Sequence, residues 1–460
     1  MTPSIDISAM KHIYFIGIGG IGMSALARYF LHEGVRVSGY DRDDNTLTRQ
    51  LMEEGMDVHF EDRGDDLPED LDLVVYTPAI PDHHGELSYL RSTVIPVLKR
   101  SEALKELFWQ KRVIGVAGTH GKTSTSAILA HVLHSQGFAM TAFIGGILKN
   151  YDSNFIYGDS DWVVVEADEY DRSFLRLYPE IAVVQAMDAD HLDIYGEKSA
   201  MIDSFRAYTD QIREGGVALI RQGIGEFWSQ SEWQKSLSSK GIDVKGFGQE
   251  AEAAVRWTDY HVEDGWTVFT IHHAGELQEC RMLMAGAHNI NNATAAAGVA
   301  LHLGLSLEQV AAGLESFRGI ERRFEVLRHD TITIVDDYAH HPVEIDAAIS
   351  AARMQYPNRH LTVVFQPHLF TRTRDFQEGF AEALDQADDV VLLPIYSARE
   401  EPIDGVTTEI ILDRMQSDSK RLLSKEKMID YLDREKIDVL LTLGAGDINK
   451  LLSKILLKLE

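Results

Sequence analysis

The chain has 460 residues, 45% of them hydrophobic, and carries 44 lysines and arginines against 72 aspartates and glutamates, a formal net charge of −28. That length suits about three domains, and that charge argues against nucleic acid or an anionic membrane as a partner. The single cysteine, Cys280, excludes an intrachain disulfide and fits a reducing compartment. Residues 1–10 show no signal-peptide pattern and no apolar run reaches membrane-spanning length, so a cytoplasmic protein is expected, with a homo-oligomer left open.

The first signal along the chain is a short apolar run at 13–16 followed by Gly17, Gly19 and Gly22 in G-x-G-x-x-G spacing, then a helix-forming segment. Such a strand, loop and helix let backbone approach a pyrophosphate, and fit NAD, FAD or the diphosphate of a nucleotide sugar equally. A second strand at 36–40 ends on Asp41, about twenty residues past the loop, where dinucleotide enzymes place a ribose-binding acid. The mainly apolar segment 73–81 and a helix at 101–110 close this unit, so a Rossmann-like domain is expected over 1–109.

The next apolar strand, 113–117, runs into Gly118-Thr119-His120-Gly121-Lys122-Thr123-Ser124 and a helix. Loop and helix N–H groups face anionic oxygens there, Lys122 adds charge for the outer phosphates, and the Thr123 hydroxyl can sit on Mg²⁺. This is a variant P-loop, because Val116 stands where the usual first glycine would be, between Gly115 and Gly118. Strands at 162–166, 181–184 and 216–220, a β-like stretch at 253–271 and helices at 289–304 and 306–317 complete a central P-loop ATPase-like parallel sheet, expected over 110–320. Glu166 ends a buried strand beside the loop, where nucleotide-bound magnesium would seek an oxygen, and His191 follows the next strand in the same way. Asp168, Glu169, Asp188 and Asp193 read as solvated loop acids.

A third alternation, with strands at 332–337, 361–365, 389–393 and 439–443, predicts a C-terminal Rossmann-like α/β domain over 321–460, with a hinge at 319–323. Past its strand ends stand Asp336, Asp337, His340 and His341, then His368 and Arg372. Zinc on His340, His341 and His368 is disfavoured, since adjacent histidines diverge and no cysteine is near. The fold class is therefore α/β in three domains.

In order along the chain come G-x-G-G-I-G-M-S at 17–24, G-T-H-G-K-T at 118–123, E-A-D-E at 166–169, D-H-x-D at 190–193, H-N-x-x-N at 288–292, R-R-F at 322–324 and D-D-Y-A-H-H-P at 336–342. This set resembles the Mur ligase family of peptidoglycan synthesis over essentially the whole chain. F-Q-P-H at 365–368, T-R-T at 371–373 and the segment 396–403 are most similar to the branch that joins L-alanine to UDP-N-acetylmuramate. The alternative is the murein tripeptide-recycling branch, and a remote one is an NAD-dependent dehydrogenase.

The resemblance implies that the first domain binds the UDP substrate through Gly19, Gly20, Ile21, Gly22, Thr77 and Arg100. It implies that Gly118, Thr119, His120, Gly121, Lys122, Thr123 and Ser124 bind ATP, with Asn289 and Asn292 on the adenine side and Arg323 and Asp337 reaching the nucleotide from the third domain. Thr123, Glu166 and His191 would hold Mg²⁺, with Lys122, Glu166 and His191 as the catalytic set, and His340, His368 and Arg372 would form the alanine site. The implied chemistry is phosphorylation of the muramyl carboxylate by ATP, then attack of the alanine amine on the acyl phosphate. Three departures stand out: Ala186 replaces a family asparagine, Leu369 replaces an arginine after F-Q-P-H, and 204–208 holds no lysine, so no carbamylated lysine is expected and Lys198 reads as a surface residue.

Overall fold

The computed structural model describes residues 5–187, 198–224, 231–398 and 400–460. Three sheets organise them. The first contains β1 (His12–Ile16), β2 (Arg36–Tyr40), β3 (Asp57–His59), β4 (Leu73–Tyr76) and β5 (Val97–Lys99), in the parallel order β3-β2-β1-β4-β5. Its central strands are buried along their whole length, which is why they read as unbroken apolar runs. Chain direction across the sheet reverses between β1 and β4, so the carboxyl ends of these two strands open a crevice. Helix α1 (Ile21–His32) leaves from there, and α2 (Thr46–Glu53), α3 (Gly85–Arg91) and α4 (Arg100–Phe108) complete the unit.

The second sheet starts with β6 (Arg112–Ala117), β7 (Thr141–Leu148), β8 (Ser153–Ile156), β9 (Trp162–Ala167) and β10 (Ile181–Val184). It continues through β11 (Val217–Arg221), β12 (Asp243–Gly248), β13 (Val255–Glu263), β14 (Trp266–His273) and β15 (Glu276–Met282). Their order is β15-β14-β13-β12-β11-β10-β6-β9-β7-β8. Strand β6 lies between β10 and β9, parallel to both, so the loop after it sits at the switch point. From that loop rises α5 (Lys122–Ser135).

The third sheet holds β16 (Glu325–His329), β17 (Thr333–Asp337), β18 (Leu361–Phe365), β19 (Asp389–Leu392), β20 (Lys420–Leu422) and β21 (Val439–Leu443), ordered β16-β17-β21-β18-β19-β20. Only β16 joins antiparallel. Buried apolar side chains cover both of its faces. The chain divides into two compact units, one made of Met1–Trp257, Ile271–Gln278 and Asn292–Phe317, the other of Thr258–Thr270, Glu279–Asn291 and Arg318–Glu460. Among the described residues no helix is long and apolar enough to cross a membrane.

Candidate active site

In the P-loop, strand β6 delivers Gly118 against the end of β10, where a side chain could not fit. A Cβ on Gly118 would lie 2.9 Å from the Ala186 nitrogen, and its φ of +147° is one that L side chains rarely adopt. Gly121 caps α5 from the left-handed region, φ +82°, which turns the loop into the helix and leaves the first-turn N–H groups facing outward. Lys122, the first helical residue, folds back so that Nζ donates to the Gly118 carbonyl at 2.8 Å and to both carboxylate oxygens of Glu169 at 2.8 and 2.9 Å.

Glu169 is fully buried, and the reading of it as a solvated loop acid is overturned. Nothing in its local periodicity marks it; its partner lies in another element. Burial alone would lower the Lys122 ammonium, but the carboxylates of Glu169, Asp168 and Glu166 more than offset it and hold the lysine protonated above its ordinary range. Burial pushes Glu169 upward, opposed by Lys122.

Beside the loop, Glu166 at the end of β9 accepts from the Thr123 hydroxyl at 3.1 Å and from the Gly145 N–H of β7 at 2.6 Å. A hydroxyl and a carboxylate at a helix N-terminus form a hard-oxygen pair that suits Mg²⁺ with phosphate oxygens completing its shell. His191, the third expected ligand, lies outside the described residues, as do Asp188, Asp190 and Asp193. Thr119 N–H donates to the Ala186 carbonyl at 3.2 Å, and Ser124 is buried in the first turn of α5. Asn292 comes to the same loop: its Oδ1 accepts from Thr125 Oγ1 at 3.2 Å and stands 2.6 Å from where a Gly121 Cβ would be. Asn289, one turn earlier on the helix Ala287–His302, donates to the Ala285 carbonyl at 2.8 Å.

The N-terminal glycine loop is built differently. Gly19 N–H donates to the Asp41 carboxylate at 2.7 Å, so the acid expected on a ribose instead braces the loop. Thr77 packs on Gly17, whose Cβ would meet Thr77 Cγ2 at 2.5 Å. Arg100, the first residue of α4, lays its guanidinium against Gly22, with Nη1 3.1 Å from a Cβ there, and Gly20 and Ile21 are exposed beside it. The structure thus gathers Gly19, Gly20, Ile21, Gly22, Thr77 and Arg100 around one crevice.

In the C-terminal unit, Asp337 ends β17 and accepts from the N–H groups of Phe324 at 2.6 Å and Ala339 at 2.7 Å. Burial pushes its carboxyl up to about 6, against the pull of Arg323 and those two donors. Arg323 lies 5.0 Å over the Tyr338 ring. His340 and His368 stand with ring centroids 6.0 Å apart, His368 stacks on Tyr396, and Arg372 is buried just beyond. Among the described residues no three His, Cys, Asp or Glu side chains form a metal cluster.

A P-loop with its lysine and an acid at the neighbouring strand end, two further α/β sheets, and an N-terminal glycine loop with an arginine laid against it define a multidomain nucleotide-binding α/β protein. Comparison with known proteins agrees. Residues 12–112 match the "Mur ligase family, catalytic domain", 116–300 the "Mur ligase middle domain" and 322–446 the "Mur ligase, glutamate ligase domain". The chain belongs to the Mur ligase family. It is 43% identical to a UDP-N-acetylmuramate–L-alanine ligase of Cytophaga hutchinsonii, covering 99% of this chain and 98% of that one. With the same-named enzyme of Porphyromonas gingivalis identity is 45%, over 96% and 97% of the two chains. The crystal structure of UDP-N-acetylmuramate-alanine ligase from Thermotoga maritima superposes with a TM-score of 0.82 at 28% identity, covering 98% and 99%. A murein peptide ligase from Psychrobacter arcticus shares the fold, with a TM-score of 0.71 at 23% identity over 98% of each chain.

Proposed function

We propose that this chain is an ATP-dependent, ADP-forming ligase that joins L-alanine to UDP-N-acetylmuramate in the cytoplasm, supplying peptidoglycan precursor. The observation that carries the reading is near-full-length identity of 41–45% to enzymes of that name. The built P-loop and the cation-lined glycine loop supply the chemistry such an enzyme needs.

The obstacle is charge. A carboxylate must attack a γ-phosphate, and both are anionic. Lys122, already held protonated, stands where outer phosphates would lie at the helix N-terminus and offsets the negative charge that builds on the β,γ-bridging oxygen as the phosphoryl group passes to the carboxylate. Thr123 and Glu166 would hold magnesium, which when bound adds further positive charge at the phosphates. The carboxylate oxygen bonds to phosphorus and ADP leaves. The amine of L-alanine then attacks the acyl carbon, loses a proton, and the C–O bond to phosphate breaks to give amide and inorganic phosphate. In this reading Gly19, Gly20, Ile21, Gly22, Thr77 and Arg100 bind the UDP portion, Asn289, Asn292, Arg323 and Asp337 the nucleotide, and His340, His368 and Arg372 the amino acid. His191 would join Lys122 and Glu166.

The test is phosphate release from ATP, Mg²⁺ and UDP-N-acetylmuramate with L-alanine, glycine, L-serine or the murein tripeptide supplied in turn. Fastest release with L-alanine is expected. Release with the tripeptide alone would assign the chain to the recycling branch, and none with any acceptor would sink the reading.

A further inference from the structure

The hairpin of β7 and β8 touches both nucleotide loops. Its pairing, Phe143 opposite Phe155, loses register before Leu148, and Gly145 and Asn154 lie in that irregular stretch. Irregular ladders re-aim individual groups. Here Gly145 aims its N–H at Glu166 beside the P-loop, and a side chain there would collide with that carboxylate, 2.6 Å from a Cβ.

Asn154, fully buried, reaches the other way into the first turn of α1. Its Nδ2 donates to the Ile21 carbonyl and to Ser24 Oγ, the latter at 3.0 Å. Its Oδ1 accepts from Arg28 Nη1 at 2.5 Å. Arg28 is itself buried and is held on its other edge by Glu54, Nη2 to Oε1 at 2.7 Å. Ile21 and Ser24 begin the helix that leaves the glycine loop, so one amide side chain fixes where that loop points. The rest of α1 packs on the same hairpin, with Tyr29 against Phe143 and His32 stacked on Tyr157 just beyond β8.

We propose that Asn154 is a positioning residue, which holds the N-terminal glycine loop at a fixed place relative to Glu166 and the P-loop so that the substrate carboxylate is presented to the γ-phosphate in register. The proposal rests on the ligase reading above. A fixed relation matters because acyl phosphate formation needs near-contact of reacting atoms, and a displacement of about 1 Å can cost about a hundredfold in rate.

Asn154→Asp separates positioning from folding. It keeps volume and keeps an acceptor for Arg28, but loses both donations to α1 and sets a carboxylate against the Ile21 carbonyl. Asn154→Leu removes everything and serves as the structural comparison. For Asn154→Asp the expected result is a melting temperature close to the parent, unchanged ADP binding by calorimetry, and a kcat for phosphate release lower by about tenfold or more. Faster amide hydrogen exchange over residues 17–26 is expected with it. Parent-like kcat and exchange would overturn the proposal, and so would ADP binding that falls in step with kcat, since the residue would then act through the central sheet. If the parent enzyme releases no phosphate with these substrates the ligase reading fails instead, and the exchange measurement still decides whether Asn154 sets the loop.

Discussion

The two glycine loops share a backbone recipe and differ in where their positive charge comes from. In the first, the cation is Arg100, brought from the start of α4 to lie against Gly22, while the loop's own amide at Gly19 is committed to Asp41. In the second, the cation is Lys122, the first residue of the loop's own helix, already clamped between the Gly118 carbonyl and a buried carboxylate. A borrowed cation on a braced loop suits a cradle that binds. A lysine held protonated and stationary suits charge stabilisation during transfer, where reorganisation would cost rate.

The largest effect should come from breaking the second loop. Lys122→Ala is expected to lower turnover by a hundredfold or more, read as phosphate release. It also strands Glu169 in the interior, and losing one partner of a buried pair typically costs about 3–5 kcal/mol. The double variant Lys122→Ala with Glu169→Gln should therefore recover melting temperature but not turnover. Recovered turnover in the double variant would remove Lys122 from the chemistry.

How much of this was legible beforehand follows the same divide. The lysine of the second loop is contiguous with its glycines, so sequence alone exposes it, and the apolar runs at 13–16, 113–117 and 361–365 emerge as the buried parallel strands β1, β6 and β18. What stayed hidden are pairings across long separations. Glu169 looks like any loop acid until tertiary folding sets it on Lys122. Asn154 carries no motif, because its role depends on a hairpin irregularity and on Arg28, 126 positions away. Asp41 was visible as a strand-end acid, but its use as a brace for Gly19 depends on a hydrogen bond that spacing cannot specify.

A third cation extends the comparison. Arg372, buried in the short helix Phe370–Asp375 that follows β18, should act as a binding charge like Arg100. Arg372→Ala is expected to raise KM for L-alanine by about ten- to hundredfold, the span of a lost hydrogen bond to a charged group, with ADP affinity unchanged. A fall in ADP affinity with alanine KM intact would instead make it a phosphate ligand.

The first loop can be probed without disturbing its frame at Gly20. Gly17 and Gly19 are hemmed in by Thr77 and Thr48, whereas a Cβ on Gly20 meets nothing closer than the Gly17 carbonyl at 3.4 Å. With ordinary φ and ψ of −64° and 139°, that position accepts a side chain in the folded protein. Gly20→Ala should leave the melting temperature in place and raise KM for UDP-N-acetylmuramate about tenfold by standing where a diphosphate would approach. Arg100→Ala should do the same through lost charge, with added salt narrowing its difference from the parent. If either variant weakened ADP binding alone, the two loops' ligands would have to be exchanged.

The smallest effect concerns a place that uses no glycine where the loops would. Leu369 caps the short helix Phe370–Asp375 at φ +70°, ψ 141°, and a positive φ of this kind falls on glycine in both loops, at Gly17 and at Gly118 and Gly121. Strain of this kind, about 1–3 kcal/mol, persists where surroundings over-determine the backbone, and here they do: the Leu369 N–H is bound to the Tyr396 carbonyl at 2.9 Å and its own carbonyl accepts from Thr373 Oγ1 at 2.7 Å. Those bonds set the directions of His368 on one side and Arg372 on the other. Leu369→Gly should relieve the strain while giving back part of the gain as unfolded-chain entropy, for a net stabilisation of about 1 kcal/mol. Alanine KM should then rise less than threefold, because the backbone bonds rather than the leucine side chain hold the turn. A large rise in alanine KM would show that the side chain itself lines the amino-acid site, at the position where the family resemblance leads one to expect an arginine.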